Sequence, residues 1–312
     1  MNAAGCDVSV LIVGYNSASY MQDCMAAIAP ACAHHTYEVR FVNNGTDGSE
    51  AFLAEHFPQV RVLPTKGNLG FAAGNNYLAD HATGRYLLLL NPDTRVYPGA
   101  IDVLLDAAAA NPAYKVLGGL AVDELGEPQP RTLHELPNLA GNLRRLAGAR
   151  GNFHAPSLDG ELVDAEAVNG GFMLVEKAIW DGLGGMDAEF FLYTEEMDFC
   201  RRIAEAGGRL GLVPEARIFH DLGSGDMHSP VRSFYMAAGN AHYFHKHFGP
   251  LKAWACVVTQ WLVALARYMR GRVSSSGQGI KQAAALEKVA LRPWTWWRGF
   301  RSPGADPRKA SA

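Results

Sequence analysis

The first 122 residues alternate short continuous apolar runs with stretches of helical spacing. VSVLIV at 8–13 is apolar almost throughout, as a strand buried on both faces should be. Residues 20–28 carry helical spacing, with Ser17 or Ser19 placed to cap them. A second strand falls at 39–42 and a short helix at 51–57. A third strand falls at 60–63, and residues 71–81 form a helix closed by Gly84. RYLLLL at 85–90 is a fourth strand, 101–110 a helix and 116–122 a fifth strand. Strands separated by helices predict βαβ units and a parallel sheet, whose ligands sit beyond the carboxyl ends of the strands.

The rhythm then fails. Residues 123–165 are punctuated by Pro128, Pro130, Pro137 and Pro156 and carry Arg131, Arg144, Arg145 and Arg150. They read as a variable excursion. Order returns at Val168. Residues 172–175 are strand-like, and Thr194 caps a helix from 195 to about 206. Short strands follow at 210–213 and 217–219. His220 ends the second of these, before a loop containing Asp221, Gly223, Ser224 and Gly225. Residues 234–248 are helical, and a tail occupies 251–312. The predicted organisation is a body over 1–250, made of halves 1–122 and 123–250, with a helical C-terminal extension.

Composition sharpens the tail. The chain has 312 residues, is 48% hydrophobic and has a net charge of −3, which suits a globular protein. Yet residues 251–312 carry +9 and the first 250 carry −12. Trp254, Trp261, Trp294, Trp296 and Trp297 also lie in the tail. An acidic body with a basic tail argues against a uniformly basic nucleic-acid binder. Cys6, Cys24, Cys32, Cys200 and Cys256 show neither C-x-x-C nor zinc spacing, which reads as reduced thiols in a cytosolic protein. No apolar run reaches the length of a spanning helix, and the N-terminus reads as a strand rather than a signal peptide.

The strand ends carry the polar residues of interest. Gly14-Tyr15-Asn16 follows the first strand and Asn43-Asn44-Gly45-Thr46-Asp47-Gly48-Ser49 the second. The latter is either an ordinary turn with a helix cap or a loop gripping a base or ribose. Asn91-Pro92-Asp93-Thr94 follows the fourth strand. It is either a β-turn or the holder of a divalent cation bound to a diphosphate. In GNLGFAAGNN, from Gly67 to Asn76, Gly74 and Asn75 weaken a helix by roughly 1 kcal/mol for the glycine. That suggests ligand contact, or else close helix–sheet packing at Gly70 and Gly74. The segment FFLYTEEMDF puts Glu195, Glu196 and Asp198 in the first turn of one helix, where the dipole favours carboxylates. Glu195 and Asp198 share a face, and Glu196 points elsewhere. His220 is either structural or a ligand for a metal or phosphate.

Taken together, VSVLIVGYN, FVNNGTDGS, GNLGFAAGNN, LLLLNPDT, the stretch VNGGFMLVEKAIWDGLGGMDAEFFLYTEEMDFCRR and His220 resemble the family 2 inverting glycosyltransferases of GT-A fold, in particular their rhamnosyltransferase-like branch. The resemblance runs from residue 8 to about 248. It implies an α/β fold with a mostly parallel, Rossmann-like sheet flanked by helices. It also implies roles. Tyr15, Asn16, Asn43 and Asn44 would line the nucleotide site. Asn68 and Gly70 would sit beside nucleotide and sugar, with Asn75 or Asn76 nearby. Asn91 and Asp93 belong to the metal motif, with Asp93 the main ligand of Mg2+ or Mn2+ and His220 completing the site. Glu196 falls where the catalytic base stands, with Glu195 and Asp198 flanking it to bind or orient the acceptor. Three departures stand out. The family commonly has Asp at the position of Asn43 and at that of Glu196. An Arg often precedes the position of Asn240, where this chain has Gly239 and Arg232 is the candidate to replace it.

The implied activity is non-processive, inverting transfer of a sugar, foremost L-rhamnose from dTDP-rhamnose, to a glycan or lipid-linked acceptor in cell-surface polysaccharide synthesis. UDP- and GDP-sugars are the alternative donors, and a non-catalytic sugar-nucleotide-binding scaffold is the alternative class. GYNSASY after the first strand lacks the Gly-rich basic loop of a sugar nucleotidyltransferase, and no Q-x-x-R-W motif of processive synthases occurs. The expected location is cytoplasmic and peripheral on the inner face of the plasma membrane. The tail's Trp residues, with Arg267, Arg270, Arg272, Arg298 and Arg301, would meet anionic lipid there.

Overall fold

The computed structural model describes residues 5–129, 132–149, 162–220 and 229–300. The expectations placed on Pro130, Arg131, Arg150, Pro156, Asp221, Gly223, Ser224, Gly225 and Arg301 lie outside the described residues. The chain begins β1 (Val8–Gly14), α1 (Met21–Ala31), β2 (Tyr37–Asn43), α2 (Ser49–His56), β3 (Arg61–Val62), α3 (Gly70–Ala79) and β4 (Tyr86–Leu90). It continues β5 (Thr94–Val96), α4 (Ala100–Ala110), β6 (Tyr114–Val122), β7 (Leu133–His134), α5 (Leu139–Leu146), β8 (Val163–Asp164), β9 (Ala167–Val168) and β10 (Phe172–Glu176). It ends α6 (Lys177–Gly182), α7 (Glu195–Glu205), β11 (Arg209–His220), α8 (Pro230–His247), α9 (Pro250–Arg272) and α10 (Gly277–Leu291).

These elements form two compact units, neither continuous in sequence. The first comprises Met1–Glu135, Phe153–Asp187 and Glu196–Asp221. It holds the main sheet, in the order β3-β2-β1-β4-β10-β6-β11-β5 with β8 beside β11. β2, β1 and β4 run parallel, with Val8 opposite both Tyr37 and Tyr86. The chain builds outward from β1 to β3 and then returns to add β4 on β1's other edge. The ends of β1 and β4 therefore flank a topological switch point, where α/β sheets place ligands. β1 and β4 are buried almost throughout, and their side chains join those of α1 and α4 in one apolar core.

The parallel α/β fold is present, with three differences in detail. β10 runs antiparallel between β4 and β6; an apolar run carries no sign of direction. The Asn91–Thr94 segment does not end in a simple turn but continues into β5, antiparallel to β11. The strands expected at 210–213 and 217–219 are one strand, β11, whose register on β6 shifts between Val213 and Arg217. Pro214 stands in that interval, and a proline cannot donate to a ladder. Neither expected serine caps α1. Its N-cap is Tyr20, after a short turn over Ala18–Tyr20. Gly84 does not close α3, which stops at Ala79. A Cβ on Gly84 would collide with the Ser9 nitrogen, so close packing against β1 explains the glycine.

The second unit comprises Leu136–Asn152, Ala188–Glu195 and Leu222–Ala312. Its centre is α9, held by three neighbours. Asn142 of α5 donates to Cys256 O at 3.0 Å, Gln260 donates to Ala237 O of α8 at 3.1 Å, and the Trp261 indole donates to Ala290 O of α10 at 2.8 Å. Trp296 is buried and donates to Val289 O, and Trp254 meets Trp297 edge to face. Among the tail tryptophans only Trp254 and Trp294 are exposed. Arg267 is half-buried, and burial together with the charge of Arg270 lowers its pKa. Among the described residues no helix is long and apolar enough to cross a membrane.

Candidate active site

The ends of β1 and β2 are joined by the Asn44 N–H, which donates to Gly14 O at 2.7 Å. Gly14 is required by close approach, since a Cβ there would lie 2.6 Å from the Phe41 ring. Tyr15 and Asn16 follow on the surface, Asn16 with φ 51°. Asn43 is fully buried and its amide is committed inward. Its Nδ2 donates to Asp47 at 3.0 Å and Glu50 at 2.7 Å, while its Oδ1 accepts from the Gly45 N–H. Asn44 is buried too, donating to Gly70 O at 2.9 Å and accepting from the Leu69 N–H. The two asparagines thus shape the loops at this end of the sheet.

Asp47 is the hub that sequence reasoning passed over. Its carboxylate accepts from the Ala18 N–H, the Ser49 N–H, the Ser49 hydroxyl and Asn43. Burial raises its pKa, but those hydrogen bonds outweigh burial and hold it at about 2. The available signal was an Asp two residues ahead of a helix-opening Ser, the pattern of a side chain bonding its own turn.

At the start of α3, Gly70 has φ 79° and its N–H donates to Asn68 Oδ1 at 3.0 Å. Asn68 is exposed and Gly70 is buried at the helix mouth. Gly74 answers to packing: a Cβ there would lie 2.9 Å from Val13. Asn75 is buried, donates to Phe71 O, and has a buried Oδ1 without a partner among the described residues. Asn76 faces another way. It donates to Met186 O at 2.7 Å and accepts from the Met186 N–H at 2.9 Å.

The third strand end is the Asn91–Asp93 corner. The Asn91 N–H donates to Gly171 O at 3.0 Å. Antiparallel pairing sets Thr94 of β5 opposite His220 of β11. That register brings Asp93 Oδ1 within 3.3 Å of His220 Nε2, both side chains mostly buried. The Thr94 hydroxyl is buried beside them without a partner among the described residues. A carboxylate, an imidazole and an unsatisfied hydroxyl at one strand edge fit a divalent cation that also takes phosphate oxygens. Cys24 donates to Asn91 O nearby, but burial, reinforced by the Asp93 charge, pushes its thiol up to about 12. At neutral pH the thiol is therefore protonated.

The three carboxylates of α7 are separated by burial. Glu195 and Asp198 are buried and Glu196 is half-buried. Asp198 pairs with Arg202 at 2.9 Å, and Arg202 also donates to Leu183 O and Gly185 O. The Leu183–Met186 turn is thus clasped by α7 through Arg202 and by α3 through Asn76. Asp198 holds that joint. A Cβ on Gly170 would touch Phe71 of α3 and lie 3.4 Å from Glu196 Cβ. Glu196 therefore stands beside the Gly170–Gly171 turn that is bonded to Asn91. Tyr193 and Thr194, just ahead of the helix, have φ 69° and 78°. Such values are costly for a β-branched residue. The Thr194 hydroxyl donates to Asn240 at 3.2 Å. A Cβ on Gly239 would lie 2.5 Å from Tyr193 O, so no arginine fits there without displacement. Arg232 lies over the Tyr193 ring at 5.0 Å.

The family model "Glycosyl transferase family 2" matches residues 9–157. The chain is 36% identical over 251 residues to the rhamnosyltransferase WbbL of Escherichia coli (strain K12), covering 75% of this chain and 89% of that protein. The chain belongs to glycosyl transferase family 2. It is also 28% identical over 230 residues to N-acetylglucosaminyl-diphospho-decaprenol L-rhamnosyltransferase of Mycobacterium tuberculosis (strain ATCC 25618 / H37Rv), covering 68% of this chain and 75% of that one. Its fold matches the mannosyltransferase PcManGT of Pyrobaculum calidifontis, solved with GDP-Man and Mn2+. That match has a TM-score of 0.57 at 17% identity and covers 95% of this chain and 84% of the other. As a family 2 enzyme of GT-A fold, the chain is a glycosyltransferase.

Proposed function

We propose that this family 2 enzyme transfers L-rhamnose, with inversion, from dTDP-L-rhamnose to a lipid-linked glycan acceptor. The observation that carries the site is the position of Glu196. It is the least buried of the three α7 carboxylates, and it stands at the Gly170–Gly171 turn bonded to Asn91, two residues from Asp93. Glu196 takes the proton of the acceptor hydroxyl as that oxygen attacks the anomeric carbon. Tyr15, Asn16, Asn68 and Gly70 flank the nucleotide, in loops braced by Asn43, Asn44 and Asp47. Asp93 and His220 would hold Mg2+ or Mn2+, which when bound supplies charge neutralisation for the departing diphosphate. Glu195 and Asp198 position the helix that carries the base. The rhamnose assignment is supported by the names of the two relatives, and both of them are matched over most of their length. We place the enzyme peripherally on the inner membrane surface, where a lipid-linked acceptor would be met.

The test is a thermal-shift screen of dTDP-L-rhamnose, UDP-sugars and GDP-sugars with Mn2+ or Mg2+, followed by transfer assays with and without excess EDTA. A donor at about 100 times its dissociation constant should stabilise the fold by about 2.7 kcal/mol. Stabilisation and turnover by dTDP-rhamnose, lost in EDTA, is the expected result. Turnover of a UDP- or GDP-sugar alone overturns the donor, and undiminished transfer in EDTA overturns the metal.

A further inference from the structure

The most unusual surface of the second unit is one side of α9. Leu251, Trp254, Val258, Met269 and Val273 recur along it at intervals compatible with a single helical face. All five are exposed, Leu251 to 91%, Met269 to 55% and Val273 to 83%. The other sides of the helix are spoken for. α8 takes the side of Gln260, α10 the sides of Trp261 and Gly271, and α5 the side of Cys256 and Thr259. What remains bare is two apolar patches on one side of the helix, Leu251, Trp254 and Val258 near its start and Met269 with the C-cap residue Val273 at its end, with the half-buried Leu262 between them. Monomeric soluble proteins rarely gather exposed apolar side chains on one helix face without an interaction to cover them.

The charges beside it narrow the occupant. α9 carries Lys252, Arg267, Arg270 and Arg272 and no acidic residue. Arg270 and Arg272 are exposed in its last turn, and Lys252 is exposed in its first. Two copies packed through this face about a two-fold axis would bring these like charges together. An anionic lipid surface would instead meet the cations while the apolar side chains sink among the acyl chains, as interfacial amphipathic helices do.

The geometry points to this face of α9, rather than the tail's tryptophans as a group, as the surface that docks the enzyme on anionic membranes, with α9 lying in the interface plane. This rests on the peripheral placement proposed above and names the residues that accomplish it. Trp261 and Trp296 belong to the packing of the unit itself. Of the tryptophans, Trp254 shares this face.

Vesicle co-sedimentation of the full-length chain tests it. The vesicles are phosphatidylcholine alone, or phosphatidylcholine with phosphatidylglycerol. The proteins are the wild type, the combined Leu251→Gln/Val258→Gln/Met269→Gln variant and the combined Arg270→Glu/Arg272→Glu variant, each checked by circular dichroism. Because the substituted side chains are already exposed, the variants should keep the fold. The wild type should bind the anionic vesicles at least about tenfold more tightly than the neutral ones. The triple variant should bind the anionic vesicles about a hundredfold more weakly, since each lost apolar side chain removes up to about a factor of ten. The Arg variant should lose the preference for anionic lipid. Equal binding by wild type and triple variant overturns the proposal. So does a wild-type dimer in gel filtration that the triple substitution converts to monomer while vesicle binding is unchanged. Donor turnover with a water-soluble acceptor, measured without vesicles, decides the catalytic reading separately. The triple variant should retain it, and a wild type that lacks it would sink the proposed donor and acceptor while leaving the vesicle result to judge the surface.

Discussion

Two strand-end regions of the sheet look alike in sequence, each a cluster of Asn, Asp and Gly after an apolar run, and they are built on opposite principles. At the ends of β1 and β2, most buried polar side chains are bonded inside the protein, the Ser17 hydroxyl being the exception among the described residues. Asn43 uses both amide hydrogens and its oxygen, Asn44 bonds Gly70 and Leu69, and Asp47 accepts from three residues. At the ends of β4 and β11 the chain brings Asp93 against His220 and leaves the Thr94 hydroxyl buried without a partner among the described residues. The first arrangement makes a rigid cradle whose backbone and exposed neighbours can meet a ligand. The second leaves one buried hydroxyl, that of Thr94, without a partner among the described residues. Buried polar groups are normally satisfied, so the location of the exceptions is informative about chemistry in a way that residue type is not.

The comparison breaks most sharply at Glu196. Glu196→Gln should lower the transfer rate by about 10²- to 10⁴-fold, the usual range for a general base. Donor affinity, measured by calorimetry, should be almost unchanged, because glutamine keeps the size and shape of the side chain and removes only its ability to take a proton. A variant that transfers at the wild-type rate would remove the base from this position.

The next effect is one of shape. Asp47→Asn removes the charge that gathers the β1 and β2 loops, and should cost about 1.5–3 kcal/mol of stability, as hydrogen bonds to charged groups do. The donor KM should rise while kcat changes little, the reverse of the Glu196 variant. The pH dependence has a definite sign. The folded carboxyl sits at about 2, below its unfolded value of about 3.9. Its contribution is therefore complete above about pH 4 and is lost as pH falls from there towards 2. The wild-type melting point should decline over that interval, and the variant's should decline less. Parallel curves would show that Asp47 does not organise the loop.

Much of this was legible in the sequence, and the part that was not has physical reasons. β1, β4 and β6 announced themselves because strands buried on both faces are continuous apolar runs, and β2 showed through despite its buried Arg40. β10 did as well, but its direction did not, since LLLL and FMLV read alike in either sense. β5 was hidden because three residues after a Pro-Asp turn signal carry too little pattern. Within the site, Asp93 and His220 could be named separately, yet only the β5–β11 register brings them together. Glu195, Glu196 and Asp198 occupy one helical turn and are equivalent to composition. Burial and the Arg202 pair tell them apart. Asp47 was overlooked because asparagines seemed the better candidates to grip a base, and their amides proved to be committed elsewhere.

The smallest effect sharpens the comparison most cheaply, at Asn76. The family pattern puts this residue close to the nucleotide, whereas its side chain makes a two-point clasp on the Met186 backbone. Met186 is buried, so Asn76→Ala strands one backbone donor and one acceptor away from water. The cost should be about 1–3 kcal/mol, the usual penalty for an unsatisfied buried group. A chain of this size should then melt a few degrees lower. The same Leu183–Met186 turn is gripped from α7 by Arg202, so one anchor remains and the fold should persist. If Asn76 is a brace, donor affinity at a temperature well below melting should be that of the wild type. If the side chain reaches the nucleotide, affinity should fall while the melting point holds. Calorimetric titration beside a melting curve reads both quantities on one preparation. A loss of affinity without a loss of stability would move Asn76 from the satisfied scaffold to the open, ligand-facing group, and the line between the two kinds of strand end would have to be redrawn through α3.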